Sequence, residues 1–318
     1  AGRVLSGVGR AALSGPLLAL LAEHAHDKTL AVSRTMATFG IGYATGSACG
    51  GFVVAACGPE ANLLLISSCS AMQVLCAVRL PRGQELSSMK ESPSSVDVPV
   101  GKGGSNGGAR TERLSTWAAL CDCLSTKGFA VLLLLQALAS ASFQVYDATS
   151  ALYLQDALGY TSAQRGYLLA YAGWVFSFMT AVVVPRLARR GASGSLLRLA
   201  FACVACGRFG LAAASRFPPT VTIVASYAVL NLGQGMTHTL LKAITTNLAE
   251  GHQRVGLMLG VLGSVDKGCG VLAPLVGGPA YDRIGPVAPA CLTALFALLG
   301  CVATPLIRTS SATRAKRE

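Results

Sequence analysis

Nine blocks of about twenty predominantly apolar residues follow one another along this 318-residue chain. They cover 1–21, 35–57, 61–80, 128–153, 164–185, 195–215, 219–241, 255–280 and 287–307. Each is long enough to cross a hydrocarbon layer about 30 Å thick as an α-helix. In lipid every backbone N–H and C=O must be satisfied within its own segment, so apolar runs of this length mean helices. The expected fold class is therefore an all-α membrane protein with nine transmembrane helices. Charged residues make up 13% of the chain, about half the share of an ordinary soluble domain. That leaves too little polar surface to cover a soluble globule, and the unbroken apolar blocks exclude disorder, collagen and coiled coil. The 36 glycines suit membrane helices, whose backbones approach closely where side chains are small.

The formal net charge is +12. In a soluble chain that excess would suggest nucleic acid, but here the basic residues gather in the loops between apolar blocks, so they report topology and no nucleic-acid partner is expected. Residues 22–34, 81–127, 186–194, 242–254 and the tail after 307, with Arg79 and Arg198 at helix ends, hold 19 basic residues on one side. The alternate loops hold Arg165, Arg216 and Arg283. This asymmetry places the central loop and the C-terminus in the cytoplasm. His24 and His26, in the first cytoplasmic loop, read as solvated. Most of the 11 cysteines lie inside apolar blocks and read as small hydrophobes. Cys203-x-x-Cys206 has a redox spacing but no adjacent strand, and Cys121-x-Cys123 has no second ligand pair, so neither a zinc site nor a disulfide is expected.

Residues 81–127 form the single long loop, rich in Ser, Gly and Lys, with prolines at 81, 93 and 99. Its Gly101-Lys-Gly-Gly-Ser-Asn-Gly-Gly108 run lacks the strand and the closing Gly-Lys-Ser/Thr of a phosphate loop, and it reads as a flexible linker. Three spans precede it and six follow. The two parts repeat each other at one ungapped offset of 227 residues: Ala22-Glu23 with Ala249-Glu250, Gly50-Gly51 with Gly277-Gly278, and Gly58-Pro59 with Gly285-Pro286. Repeated membrane halves are a mark of secondary transporters. The expected organisation is 1–80 as the last three helices of an N-terminal half, 81–127 as linker, 128–308 as a six-helix C-terminal half, and 309–318 as tail. On that expectation three helices would precede Ala1.

Charged or polar groups in a span are costly, so stripes at helical spacing point to a cavity or a partner. Arg3, Ser6, Arg10 and Ser14 share a face of the first span, and Gln136, Ser140, Gln144 and Asp147 a face of the fourth. Asn231, Gln234, His238 and Lys242 do so in the seventh. Asp266 and Lys267 lie mid-span in the eighth; as neighbours about 100° apart they are expected to face different places, one the cavity and one an adjacent helix. Asp147 and Asp266 are the candidate proton- or cation-binding carboxylates, with pairing to an arginine as the structural alternative. His238 suits either a proton carrier or a hydrogen-bonded core histidine. Arg3 either snorkels or serves a buried coupling role, and Arg10 is too deep to snorkel readily. Arg208, outside any stripe, is expected to reach the interface or a cap. Tyr171 and Trp174 read as pocket lining or simple packing. Gly42, Gly46 and Gly50, spaced by fours, are expected to offer a smooth surface for close helix contact, with Gly51 beside them and Gly277-Gly278 in the same role later.

The chain resembles the major facilitator superfamily. Arg3-Val-Leu-Ser-Gly7-Val-Gly9 is similar to the motif of that family's fourth helix. Gly42, Gly46, Gly50 and Gly51 match the glycine-rich fifth-helix motif of its proton antiporters, with Ser33 for its first Gly and Ser47 for its Pro. Ala273-Pro274-Leu-Val-Gly277-Gly278 is similar in the eleventh helix, and Arg186-Leu-Ala-Arg189-Arg190-Gly191 looks like the loop between helices eight and nine without its usual Asp. Leu240-Leu-Lys-Ala-Ile244, the Gly260 to Gly278 region and Gln164-Arg-Gly-Tyr-Leu168 resemble the organic cation transporter-like branch of drug/proton antiporters. The resemblance implies helices 4–12 of a twelve-helix bundle whose fourth, seventh and tenth helices, with the first, line a central cavity. The three polar stripes reach the same helices from periodicity alone.

The expected function is secondary active transport of a small organic solute, by proton-coupled antiport of drug-like or organic cations. The candidate pathway is Arg3, Arg10, Gln136, Gln144, Asp147, Asn231, Gln234, His238, Asp266 and Lys267; Gly42, Gly46, Gly50, Gly51, Pro274, Gly277 and Gly278 are the packing residues. The alternatives are an organic-anion carrier and a transport-inactive scaffold or receptor of the same fold. No enzyme activity, cofactor or metal is expected. The partners are the solute, protons and the bilayer, the protein is expected to be a monomer, and plasma membrane and endomembrane are equally open.

Overall fold

The computed structural model describes residues 28–79, 123, 125, 128–190, 193–217, 219–250 and 255–307. These residues form helices and turns, with no strand among them. In chain order the helices are α1 (Lys28–Cys57), α2 (Pro59–Arg79), α3 (Phe129–Leu152), α4 (Ser162–Phe178), α5 (Val184–Arg190), α6 (Ser193–Ala213), α7 (Pro219–Glu250), α8 (Val255–Ile284) and α9 (Ala288–Ala303). A π-helical turn at Tyr153–Ala157 extends α3, and another at Met179–Val183 joins α4 to α5 as one rod. The protein is an all-α membrane protein. Eight of the expected spans coincide with these rods, and the first, 1–21, lies outside the described residues.

Among the described residues, five segments are long and apolar enough to cross a membrane: Leu30–Cys57, Phe129–Ala157, Ser162–Leu187, Gly194–Ala213 and Gly256–Ile284. Ala288–Ala303 is apolar but shorter. α7 is longer than any of them, and the Asn231, Gln234 and His238 of its polar face interrupt its apolarity. It also continues to Glu250, past the expected end at 241. The expected loop at 242–254 is thus largely helical, because an α-helix satisfies its own backbone and does not have to stop where the apolar run does.

Three tight turns lie at one end of the bundle. Gly58, Gly159 and Gly285 have φ of 86°, 68° and 126°, a region costly for other residues. Each N–H donates to the carbonyl four residues back, Val54, Gln155 and Tyr281, at 3.0–3.1 Å, which ends the preceding helix in the manner of a left-handed cap. Gly58-Pro59 and Gly285-Pro286, one of the pairs matched at the 227-residue offset, both make this turn, as does Gly159 outside that pattern. α4 then starts with a capping box: Thr161 Oγ1 accepts from the Gln164 N–H, while Gln164 Oε1 accepts from the Thr161 N–H at 2.9 Å.

The core sits among α3, α6, α7 and α9, around Leu135, Phe201, Leu230 and Ala297. Small residues set the helix spacing there. A Cβ at Gly207 would lie 2.8 Å from Leu230, and one at Gly233 would lie 2.7 Å from the Ala200 carbonyl. Large apolar side chains point outward, including Leu64 (74% exposed), Leu275 (70%) and Val302 (77%), as a lipid-facing surface requires.

α1 packs against α4 along a second small-residue seam. A Cβ at Gly173 would meet Ala44 N, Cα and Cβ at 2.7–2.8 Å, and one at Gly51 would meet Gly166 Cα at 3.0 Å. Ser177 Oγ donates to the Ala37 carbonyl at 2.9 Å, and Ser33 Oγ donates to the Thr180 carbonyl. The seam therefore runs through Ser33, Ala37, Gly40, Ala44, Ser47 and Gly51. Gly42 and Gly46 lie on another face of α1, where no described residue comes within 4 Å of an added Cβ, and Gly50 meets Asn62. The reason is geometric: residues at 40, 44, 47 and 51 share one helical face, rotated from the one carrying 42, 46 and 50. In α8, Gly277 approaches the Val145 carbonyl of α3 at 2.9 Å, whereas Gly278 has no described neighbour. Pro274, which is exposed, and Pro279 lie inside α8, where each removes a helical N–H donor.

Candidate functional site

Two polar clusters lie inside the bundle. The first is built from α3, α7 and α8, with α1 at its edge. On α3, Gln136 and Ser140 are one turn apart, and Gln136 Nε2 donates to Ser140 Oγ at 2.9 Å. Ser140 Oγ donates across to Asp266 Oδ1 of α8 at 2.7 Å. Lys267 Nζ donates to Asp266 Oδ2 at 2.8 Å, an ion pair between side chains 34% and 21% exposed. Both carboxylate oxygens are thus engaged, one by a neutral donor and one by a cation.

This pairing corrects the expectation that Asp266 and Lys267 face different places. Their Cα–Cβ bonds do diverge, but the four-carbon lysine stem is long enough to return its ammonium to the neighbouring carboxylate. His238 of α7 meets Phe143 of α3 edge to face, with ring centroids 6.3 Å apart and planes at 88°. It lies within electrostatic range of Asp266, Lys242 and Lys267. One turn further along α7, Lys242 Nζ lies 3.5 Å from Met36 Sδ of α1.

The second cluster centres on Arg208 of α6. The side chain is 1% exposed. Its guanidinium lies over the Tyr146 ring, 4.2 Å from the centroid, a cation–π geometry. Nη2 donates to the Ser142 carbonyl at 3.1 Å, while Nε and Nη1 have no hydrogen-bond partner among the described residues. Arg208 therefore neither caps a helix nor reaches the interface, as had been expected of it. The flat face of the Tyr146 ring suits a planar cation held in the core. Asp147, the next residue on α3, is exposed and lies within electrostatic range of Arg208, of Tyr227 on α7 and of Tyr43 on α1.

The other stripe residues fall between these clusters. Gln144 is half-buried and faces α8, where a Cβ on Gly270 would lie 3.4 Å from its amide carbon. Gln234 and Asn231 are each 7% exposed. Asn231 Nδ2 donates to the Tyr227 carbonyl at 2.7 Å, within its own helix. Gln144 and His238 thus meet other helices of the bundle, Gln234 is buried within it, and Asp147 is exposed. Trp174 is 57% exposed, and Tyr171 donates its hydroxyl to the Val224 carbonyl at 3.3 Å. Arg3 and Arg10 lie outside the described residues, as does nearly all of the 81–127 loop.

Reasoning from stripes missed Arg208, Tyr146, Tyr227 and Tyr43. A signal for Arg208 was present, because a lone arginine within an apolar block marks a functional position whether or not it shares a stripe. The tyrosines carry no such signal, since an amphipathic ring is as common in packing as in a site.

The arrangement offers a carboxylate with two donors, a neighbouring imidazole and fixed cations at separate depths, all on helices. That chemistry can bind charge and exchange protons. A family model described as Major Facilitator Superfamily matches residues 1–274. No curated protein matches the sequence.

Proposed function

The chain belongs to the Major Facilitator Superfamily, and on that premise we propose that it carries a small organic solute by proton-coupled secondary transport. It is an integral, multi-pass membrane transporter of that superfamily. The proposed finer organisation has 1–80 closing an N-terminal half and 128–308 forming the C-terminal half, with 81–127 as a cytoplasmic linker. The α1–α4 seam is then an interface between halves, and alternating access opens and closes it around the polar interior. The bundle ends at residues 190, 250 and 307 are cytoplasmic on this reading, and the carrier works as a monomer.

The observation that carries the proposal is the Ser140–Asp266–Lys267 network beside His238, held at the junction of three helices. A proton on Asp266 removes the charge that Lys267 pairs with. The two protonation states therefore prefer different arrangements of α3 and α8, and a pH gradient biases inward against outward states. Asp147 is the second protonation candidate, within range of both Arg208 and Tyr43. Pro274 and Pro279 in α8, with the faces at Gly42, Gly46 and Gly278 that no described residue packs against, support helix adjustment between states.

The test is uptake by the full chain in proteoliposomes, with and without a pH gradient. Gradient-dependent uptake is expected. No flux of any solute under either condition would overturn the carrier reading in favour of a scaffold or receptor. Asp147→Asn is expected to abolish gradient-driven uptake while the protein stays folded by its thermal melt; wild-type coupling in that variant removes Asp147 from the pathway. The sequence resemblance supplies one reading of the solute, an organic cation exchanged for protons with its charge near Asp147.

A further inference from the structure

We infer that the solute is an organic anion whose acidic group docks on Lys242, at the contact of α7 with α1. This inference rests on the carrier reading and reverses the sign that the cation resemblance suggests. Among the described residues the interior clusters hold three fixed cations, Arg208, Lys242 and Lys267, against two carboxylates, Asp147 and Asp266.

The three cations differ in how they are satisfied. Lys267 has Asp266 at 2.8 Å. Arg208 has the face of Tyr146 and the Ser142 carbonyl. Lys242 is partly buried, with no carboxylate within ion-pair distance among the described residues, and the polar contact its ammonium makes to another described element is Met36 Sδ at 3.5 Å. A thioether is a weak acceptor, while an ammonium has three donors. A cation held away from bulk water without an anion is costly, and a ligand anion removes that cost.

The surroundings specify more than charge. Met36 of α1 supplies an apolar neighbour, and one turn back along α7 the His238 imidazole packs against Phe143 of α3. Asp266, the carboxylate in electrostatic range of Lys242, is already held by Lys267 and Ser140. An organic cation at this position would meet two lysines for one carboxylate. A carboxylate or sulfonate on an aromatic or aliphatic body would meet a lysine that has no carboxylate partner among the described residues, beside the Met36 side chain. The contact also joins α7 to α1, so the anion would sit between the two proposed halves, where a ligand can bias their relative position.

The experiment compares matched acid and amine probes on the purified full chain: benzoate against benzylammonium, and hippurate against phenethylammonium. The acids are expected to raise the thermal midpoint by about 2–4 °C at saturating concentration, and the amines to leave it unchanged. Lys242→Met, which places a second thioether beside Met36, is expected to abolish the acid response, while Lys242→Arg retains it. Lys242→Gln serves if the Met variant does not fold. No acid response in the wild type, or an acid response surviving both neutral variants, overturns the assignment. Uptake of benzylammonium without benzoate binding also overturns it but leaves the carrier reading standing. Benzoate binding lost in Lys242→Met, with no flux of either probe, supports the binding site and overturns the carrier reading instead.

Discussion

Asp266→Asn is expected to reduce pH-gradient-driven uptake to the background of protein-free vesicles. The amide is nearly isosteric, so Ser140 Oγ keeps an acceptor at the position now 2.7 Å away. The other half of the group changes sign. Where Oδ2 now accepts from Lys267 at 2.8 Å, an amide NH₂ would face the ammonium donor to donor. The variant therefore loses both the titrating group and the partner of Lys267. The double variant Asp266→Asn/Lys267→Met separates these effects. Removing the stranded cation is expected to recover melting stability toward wild type, because an unpaired ammonium within the bundle is the main structural penalty. Uptake is expected to remain uncoupled in the double variant, since neither replacement can take and release a proton. Gradient-driven uptake in either variant would take Asp266 out of the coupling mechanism.

Gly173→Val is expected to lower stability by about 3 kcal/mol, the upper part of the usual range for overpacking. The new Cβ would stand 2.7–2.8 Å from the N, Cα and Cβ of Ala44. Those atoms are backbone, or fixed to it, on a residue with no exposed surface, so no side chain can swing aside. α1 must move away from α4, which also strains the Ser177–Ala37 and Ser33–Thr180 hydrogen bonds. Gly42→Val is the control. Its Cβ meets nothing described within 4 Å, and its expected effect is below about 0.5 kcal/mol. Equilibrium unfolding of both variants in mild detergent checks the pair. Equal effects would mean that the Gly173 seam is not what holds α1 to the bundle.

The two glycines also mark where sequence reading reached its limit. A run of glycines spaced by fours is visible as a helix face, and Gly42, Gly46 and Gly50 form one. Which face meets a neighbour depends on the rotation of α1 about its own axis, and that is set by every contact the helix makes. Ser33, Ala44 and Ser47 share the packed face with Gly40 and Gly51, and no spacing rule ranks that mixture above the pure glycine stripe. Asp266 and Lys267 show the same limit at the scale of one side chain. Their backbone directions follow from helix geometry, but the reach of the lysine stem does not.

What the sequence by itself determined is the class of protein and, among the described residues, roughly where its rods lie. Those follow from properties that add up locally: twenty apolar residues need a self-satisfied backbone in lipid, and a glycine before a proline ends one helix and starts the next. The tertiary structure alone decided which polar groups meet. The Ser140–Asp266 hydrogen bond spans 126 residues of chain, the Lys242–Met36 contact 206, and Arg208 lies over Tyr146 from a different helix. Such pairings depend on how helices rotate and pack against one another, which is a property of the whole bundle.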